Sequence, residues 1–310
     1  MKYISVLVTY NRKEKLIGAI KSLLSQTLQP QKIVLIDNCS TDGTKELLKN
    51  KGLLDNPVID YNLMDKNYGG SGGFYYGIKR ALKFKDYDYL SLSDDDAFFD
   101  KNYFELIDKV ASLHPSVHAF CGTVEYKDGS IQLDHRRKII NRKWIREKEF
   151  PISTYNKDFF VDTFSFVGCV ISREIIKKIG LPSKNYFIYY DDTEYSLRVR
   201  ENTKILNVSN AIITHMIQKK SFENKNIISW KNYYEIRNSM LMKMKHSNWK
   251  FLRLYFLYRQ LHLIAYVLLS RRYSGIRRRA MYIYNSGFKD ALHNITGKRE
   301  PFVPGRKLPY

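Results

Sequence analysis

The chain has 310 residues, 44% hydrophobic and 27% charged, a balance that excludes intrinsic disorder and fibrous repeats and is enough for about two domains. Lys and Arg number 52 against 31 Asp and Glu, and a net charge of +21 calls for phosphate somewhere among the partners: a nucleotide, an anionic membrane or a nucleic acid. Cys39, Cys121 and Cys169 are odd in number and lack metal-ligand spacing, which excludes a disulfide framework and a zinc site.

The first residues lack the long apolar core and small-residue cleavage site of a signal peptide, so the expectation is a cytosolic protein. Residues 3–9 form an apolar strand-type run, and 13–25 carry Leu16, Ile20, Leu23 and Leu24 at helical spacing. A second strand over 32–36 leads into the turn and cap residues 37–44, where Thr41 or Asp42 can start a helix reaching Leu48. A third strand is expected over 58–62, a glycine-rich turn over 69–73, a helix over 74–83, and a fourth strand over 87–93 that ends at Asp94, Asp95 and Asp96. Strand–helix alternation of this kind makes a mostly parallel sheet covered by helices, with ligands at the carboxyl ends of the strands. That rule draws Thr9, Tyr10, Arg12, Asp37, the glycine turn and the three aspartates to one crevice. Further on, strands are expected over 119–126 and 164–172 and helices over 173–179 and from Thr193, with an all-helical pattern after residue 219. The expected domains are 1–218, with a nucleotide-binding half over 1–97 and an acceptor half over 98–218, and a helical region over 219–310.

Three adjacent carboxylates repel one another at the end of an apolar strand, and a divalent cation with a taste for hard oxygen, magnesium or manganese, would relieve them. The bland alternative is an exposed acidic turn. A second acidic cluster holds Tyr190, Asp191, Asp192, Thr193 and Glu194, where one carboxylate can cap the following helix and another serve as a general base. His215 ends an apolar stretch; a structural histidine is the default there, and the carboxylate metal site makes it a candidate third ligand. Asn67, Gly70 and their glycine neighbours could bring backbone amides to a phosphate, but the P-loop lysine is missing.

From Lys243 onward there are fifteen basic residues against Asp290 and Glu300, interleaved with aromatic residues such as Trp249, Tyr255 and Tyr258. The apolar stretch 254–269 is too short, and too broken by Arg259, Gln260 and His262, to span a bilayer, with its polar residues spread round the helix. It reads either as a helix packed against its neighbours or as an interfacial helix with Arg271, Arg272, Arg277, Arg278 and Arg279 on lipid phosphates. An exposed apolar surface of this kind serves a homo-oligomer equally well. No nucleic-acid-binding signature is present.

Taken together, these segments resemble family-2 glycosyltransferases of the GT-A fold over about residues 3–240, and in finer detail bacterial galactofuranosyltransferases and their rhamnosyltransferase relatives. The resemblance rests on 8–12, 36–44, 67–73, Asp94-Asp95-Asp96, 191–195 and His215, in the family's order. It implies an α/β fold with a Rossmann-like mixed sheet and a basic helical extension. It implies an inverting, metal-dependent transfer of a sugar from a nucleotide-sugar donor to a lipid-linked glycan at the inner face of the cell membrane. UDP-galactofuranose is the first donor to consider, with dTDP-rhamnose or another UDP-hexose as alternatives and a non-catalytic glycan-binding module as the rival from another class. The roles implied are Asp37 on the nucleotide base beside Thr9, Tyr10 and Arg12, Asp95 on the donor sugar or ribose, and Asp94, Asp96 and His215 on the metal. Asp192 would be the catalytic base supported by Asp191, and Arg237, in the 233–238 segment, a diphosphate contact. We place Tyr190, Glu194 and Gly168 on the acceptor side. Mycobacterial-type galactofuranosyltransferases carry large extra domains at both ends, so processive polymerisation is not assumed for this chain.

Overall fold

A computed structural model describes residues 1–219 and 228–309. In chain order the first elements are β1 (Tyr3–Thr9), α1 (Lys13–Leu24), β2 (Lys32–Asp37), α2 (Thr44–Asn50), β3 (Ile59–Leu63), α3 (Gly69–Ala81), β4 (Tyr89–Asp94), β5 (Ala97–Phe99) and α4 (Tyr103–Leu113). There follow β6 (Ala119–Glu125), β7 (Arg136–Asn141), β8 (Arg146–Glu149), β9 (Phe159–Val161), β10 (Thr163–Phe164), β11 (Cys169–Ser172), α5 (Arg173–Ile179), α6 (Asp191–Arg200) and β12 (Ile205–His215). The remainder is helical: α7 (Lys231–His246), α8 (Leu252–Leu269) and α9 (Arg277–Leu292).

The chain divides into two compact units, one of residues 1–138, 148–184 and 192–219, the other of 139–147, 185–191 and 220–310. The first is built on a large mixed sheet in the order β3-β2-β1-β4-β11-β6-β12-β5, with β9 pairing off β12. β3, β2, β1 and β4 run parallel. β11 then reverses direction between β4 and β6, while β12 runs parallel to β6 and antiparallel to β5. The sheet is therefore mixed rather than mostly parallel.

β1 shows how the sequence makes this architecture. Side chains alternate across a strand, and here both faces are covered. Tyr3 and Leu7 join α1 and α4 in one core, with Leu16, Ile20, Leu23, Phe104 and Ile107. Ile4, Val6 and Val8 face the other way, into a second core with Phe74 and Ile78 of α3.

The glycine-rich segment is not the turn expected from sequence: α3 begins at Gly69 and runs through it. Its glycines serve close packing of helix on sheet. A Cβ added at Gly73 would lie 2.4 Å from Val8 Cγ1, and one at Gly77 2.3 Å from Val6 Cγ1. Gly73→Ala should accordingly destabilise the fold by about 1–3 kcal/mol, because α3 must lift off β1. Urea unfolding would measure this, and an unchanged midpoint would contradict it.

The second unit gathers α7, α8 and α9 around Phe187, Tyr233, Tyr234, Val267, Ile283, Tyr284 and Phe302. Tyr233 stacks on Phe302 at 4.1 Å and donates to Asp290 at 2.6 Å. No helix among the described residues is long and apolar enough to cross a membrane.

Candidate active site

The parallel register aligns the strand ends that matter. Thr9 lies level with Asp37 on β2, and Val8 level with Asp94 on β4. Beyond β1 the chain turns through Asn11, whose φ of 52° is tolerated because its side chain accepts from Thr41 N at 2.7 Å. This ties the β1 end to the β2 end. Asn38, buried, ties in the start of α3: its amide donates to Gly69 O at 2.8 Å and accepts from Tyr68 N at 3.0 Å. Asn67 caps the same end by accepting from Gly69 N at 2.7 Å, and a side chain at Gly70 would enter open space. The α3 terminus thus stands at the same edge as the aspartates' neighbours Thr9 and Asp37.

Asp37 is buried, and its carboxylate accepts from Ser40 N and from the Tyr61 hydroxyl, each at 2.8 Å. Tyr10 is half-buried at the end of β1. Thr9 Oγ1 donates to Asp95 Oδ2 at 2.7 Å. Arg12, half exposed, spans two carboxylates, at 3.1 Å from Asp95 Oδ1 and 2.8 Å from Asp96 Oδ2. Lys15 adds a second cation at 3.4 Å from Asp96. Asp94 contributes to the negative field that raises the Arg12 guanidinium against the opposing effect of burial.

His215 arrives from a distant part of the chain. The antiparallel pairing of β12 with β5 sets it opposite Ala97, next to Asp96. His215 Nε2 lies 3.1 Å from Asp96 Oδ1, and Nδ1 lies 3.0 Å from Gln132 Oε1. Nδ1 thus faces Gln132 and Nε2 is the nitrogen turned to the carboxylate of Asp96. Buried His135 packs edge-on against the His215 ring and bonds to Ser165. Burial, with the charge of Arg136 beside it, pushes His135 well below the usual histidine range, so it is neutral.

Burial alone would raise Asp96, but the hydrogen bond and charge of His215, with Arg12 and Lys15, outweigh it and bring the carboxyl down to about 2. Asp95 moves the other way: burial raises it, and Arg12 and Thr9 offset only part. The sign for Asp96 follows. A carboxyl depressed in the folded state adds stability above its unfolded value and loses it as pH falls through its folded value. The contribution is on the order of 2 kcal/mol, lost between about pH 4 and 2. Asp96→Asn should flatten the acid limb of the stability curve in that window, and an unchanged limb in acid unfolding would contradict it.

One hard oxygen and one imidazole nitrogen suit a divalent cation. Asp96 Oδ1 and His215 Nε2, 3.1 Å apart, are the two groups that would hold such an ion. Asp94 does not complete a triad with them: among the described residues no three His, Cys, Asp or Glu side chains gather as a full ligand set. The described residues thus offer two candidate ligands, Asp96 and His215.

α6 opens with Asp191, buried, and Asp192, half-buried. Asp192 Oδ1 accepts from Thr193 N at 2.6 Å, and Thr193 Oγ1 accepts from Arg137 at 3.1 Å. The N-terminal end of a helix favours negative charge, as a carboxylate acting as base requires. Tyr190 is half-buried, with a φ of 66°.

Three assignments change. Glu194 is fully buried and pairs with Arg198 at 2.9 Å, so it seats α6 instead of meeting an acceptor. Gly168 is a backbone necessity: its φ is +71°, an added Cβ would lie 1.9 Å from Ile213 Cδ1, and its carbonyl accepts from the Tyr103 hydroxyl. Arg237 is fully buried in the second unit, donating to Gly297 O at 2.7 Å, Tyr186 O at 3.1 Å and Asn238 Oδ1 at 2.9 Å. Its guanidinium also lies over the rings of Tyr233 and Tyr234, so its partners among the described residues are internal ones. Sequence reasoning missed Gln132 and Lys15. Neither belongs to a motif, and only the three-dimensional pairing of β12 with β5 and β6 reveals Gln132.

Residues 5–180, more than half of the chain, match the sequence model of glycosyl transferase family 2. Over 199 residues, 63% of this chain and 64% of the relative, it is 25% identical to galactofuranosyltransferase GlfT1 of Mycolicibacterium smegmatis. Over 266 residues it is 24% identical to GlfT2 of the same organism, covering 77% of this chain but 40% of that one. The matched region thus spans less than two thirds of either relative. Among solved structures, GalNAc-T7 with UDP, GalNAc and Mn2+ superposes with a TM-score of 0.60 at 15% identity, over 95% of this chain and 56% of that one, a likeness of fold. With a GT-A-type α/β sheet whose strand ends collect Thr9, Arg12, Asp37, Asp95, Asp96 and His215, the chain belongs to glycosyl transferase family 2.

Proposed function

We propose that this enzyme transfers galactofuranose from UDP-galactofuranose, with inversion, to a hydroxyl of a lipid-linked glycan at the inner face of the cell membrane. The observation that carries the reading is the meeting of Asp96, His215, Arg12 and Asp95 at the strand ends beside Thr9 and Asp37. The choice of sugar follows the galactofuranosyltransferases among its relatives, and the lipid-linked acceptor follows the basic, aromatic C-terminal region.

Asp37, held by Ser40 and Tyr61, would bind the nucleotide base, with Tyr10 beside it. Asp95, fixed by Thr9 and Arg12, would bind ribose or donor sugar, and Arg12 would offer its other N–H groups to the diphosphate. Asn67 and Gly70 would line the donor at the start of α3. Asp96 and His215, with Asp94 nearby, would hold a divalent cation, manganese or magnesium, whose charge offsets that building on the departing diphosphate. Asp192 takes the proton from the acceptor hydroxyl as its oxygen attacks the anomeric carbon. The bond from that carbon to the diphosphate oxygen breaks, and UDP leaves. Asp191 and Tyr190 would shape the acceptor side.

UDP release from UDP-galactofuranose with octyl glycosides as acceptors tests this. Release with manganese, abolished by EDTA, accompanied by a new inverted glycoside, is the expected result. Turnover of dTDP-rhamnose alone would move the donor assignment.

A further inference from the structure

α8 is apolar on two opposite faces. Leu252, Phe256, Gln260 and Val267 are buried, and the one polar group among them, Gln260, is satisfied by Asn285 of α9 at 2.6 Å. On the outer side Leu254, Leu257, Tyr258, Leu261, Leu268 and Leu269 are 62%, 46%, 56%, 67%, 51% and 82% exposed. At about 100° per residue these six fall within an arc of about 120°. The polar residues are therefore not spread evenly round this helix. Arg253 and Arg259, both exposed, flank the arc from outside, about 40° and 80° beyond its two edges. Exposed Arg271 and Arg272 follow the helix end, and Arg277 and Arg278 open α9.

A helix apolar on two opposite faces is normally covered on both. Here the outer face is open, and the helix falls short of a membrane span. An apolar ridge with arginine shoulders and aromatic residues at its ends, Phe251 and Tyr266, has the build of a helix lying in a lipid–water interface. Charge selects between occupants. From Trp249 to Lys289 the sequence has no Asp or Glu. A second copy laid on this face would bring arginine shoulders together with no acid between them, whereas anionic lipid phosphates complement them.

We propose that the outer face of α8 is the surface by which this protein docks on an anionic lipid membrane, with the helix in the plane of the interface and its arginines on lipid phosphates. This deepens the lipid-linked acceptor of the proposed function and rests on that reading only for the purpose of docking.

Co-sedimentation of the full chain tests it, using vesicles of phosphatidylcholine alone and of phosphatidylcholine with phosphatidylglycerol. The wild-type chain should sediment with the anionic vesicles, less so as salt rises. Leu257→Gln/Leu261→Gln should lose binding by about tenfold or more, since two exposed apolar side chains leave the ridge without disturbing the core. Arg271→Gln/Arg272→Gln should weaken binding to the anionic vesicles only. The proposal is overturned if the wild type ignores anionic vesicles, or if the Leu257/Leu261 variant sediments like it. Light scattering that shows a wild-type dimer split by that variant would instead give the face to a second copy. Stabilisation by UDP and manganese, measured on the same samples, separates this outcome from the donor site: vesicle binding without UDP stabilisation leaves the docking face standing and fails the glycosyl-transfer reading.

Discussion

Asp192→Asn should abolish transfer while leaving the fold and UDP binding as they are. The two side chains have nearly the same volume, and the asparagine oxygen can still accept from Thr193 N, the bond that Asp192 Oδ1 makes at the start of α6. What is lost is the capacity to take a proton. General-base catalysis is worth about 100- to 10,000-fold, so kcat should fall by that amount with little change in the UDP-dependent midpoint. Asp191→Asn is the companion variant. Asp191 is buried where Asp192 is half-buried, so its effect should fall on acceptor KM and on stability more than on kcat. Near-full activity of Asp192→Asn, in the transfer assay with UDP-galactofuranose, would remove Asp192 from the mechanism.

The second large effect concerns Arg237. A diphosphate contact and a structural clamp predict opposite outcomes. The structure gives the clamp its geometry: Arg237 reaches Tyr186 O and Gly297 O, and the neighbouring Asn238 Nδ2 donates to the carbonyls of Tyr186, Ile188 and Tyr189. The carbonyls of Tyr186, Ile188 and Tyr189 belong to a loop in which Phe187, Tyr189 and Tyr190 all have φ between 66° and 68°. Bulky residues in that region cost on the order of 1–3 kcal/mol each and persist only when surrounding bonds impose them. Arg237→Ala strips Gly297 O of its donor, leaves Tyr186 O with Asn238 alone, and uncovers the rings of Tyr233 and Tyr234. Stability should fall by about 3–5 kcal/mol. Arg237→Lys should rescue little, because one ammonium cannot reproduce the planar fork. UDP affinity, read at a temperature where the variant is folded, should be unchanged. A variant that melts like the wild type but binds UDP weakly would restore the diphosphate role.

Much of the first unit was legible because its signals are local. The apolar runs of β1 and β2, the turn residues after β2 and the aspartates at the end of β4 each follow from a few adjacent residues, and the strand-end rule carries them to one place. Long-range pairing was not legible. Nothing in Cys169–Ser172 announces that this strand runs antiparallel between two others, and Gln132 meets His215 across 83 residues of chain. The glycine segment misled for a definable reason. Glycine is a poor helix former, so Gly69 to Gly73 reads as a turn, but a close helix–sheet approach overrides propensity. Glu194 and Arg237 misled in another way: a charged side chain in a motif suggests substrate contact, and only their complete burial beside Arg198 and beside Tyr233 and Tyr234 reveals internal partners. α4 is different again. Its Tyr103, Phe104 and Ile107 have helical spacing and were open to sequence reasoning.

A metal-assisted nucleoside-diphosphate site at the strand ends around Asp96 and His215 should show itself in the folding equilibrium. Thermal unfolding of the purified chain with UDP or dTDP, each with manganese or with EDTA, tests it most directly, because a ligand that binds only the folded state must raise the midpoint. The expected result is a rise with UDP that depends on manganese and disappears in Asp96→Ala. No rise with either nucleotide on well-folded protein, or a rise that EDTA leaves untouched and Asp96→Ala retains, would contradict it.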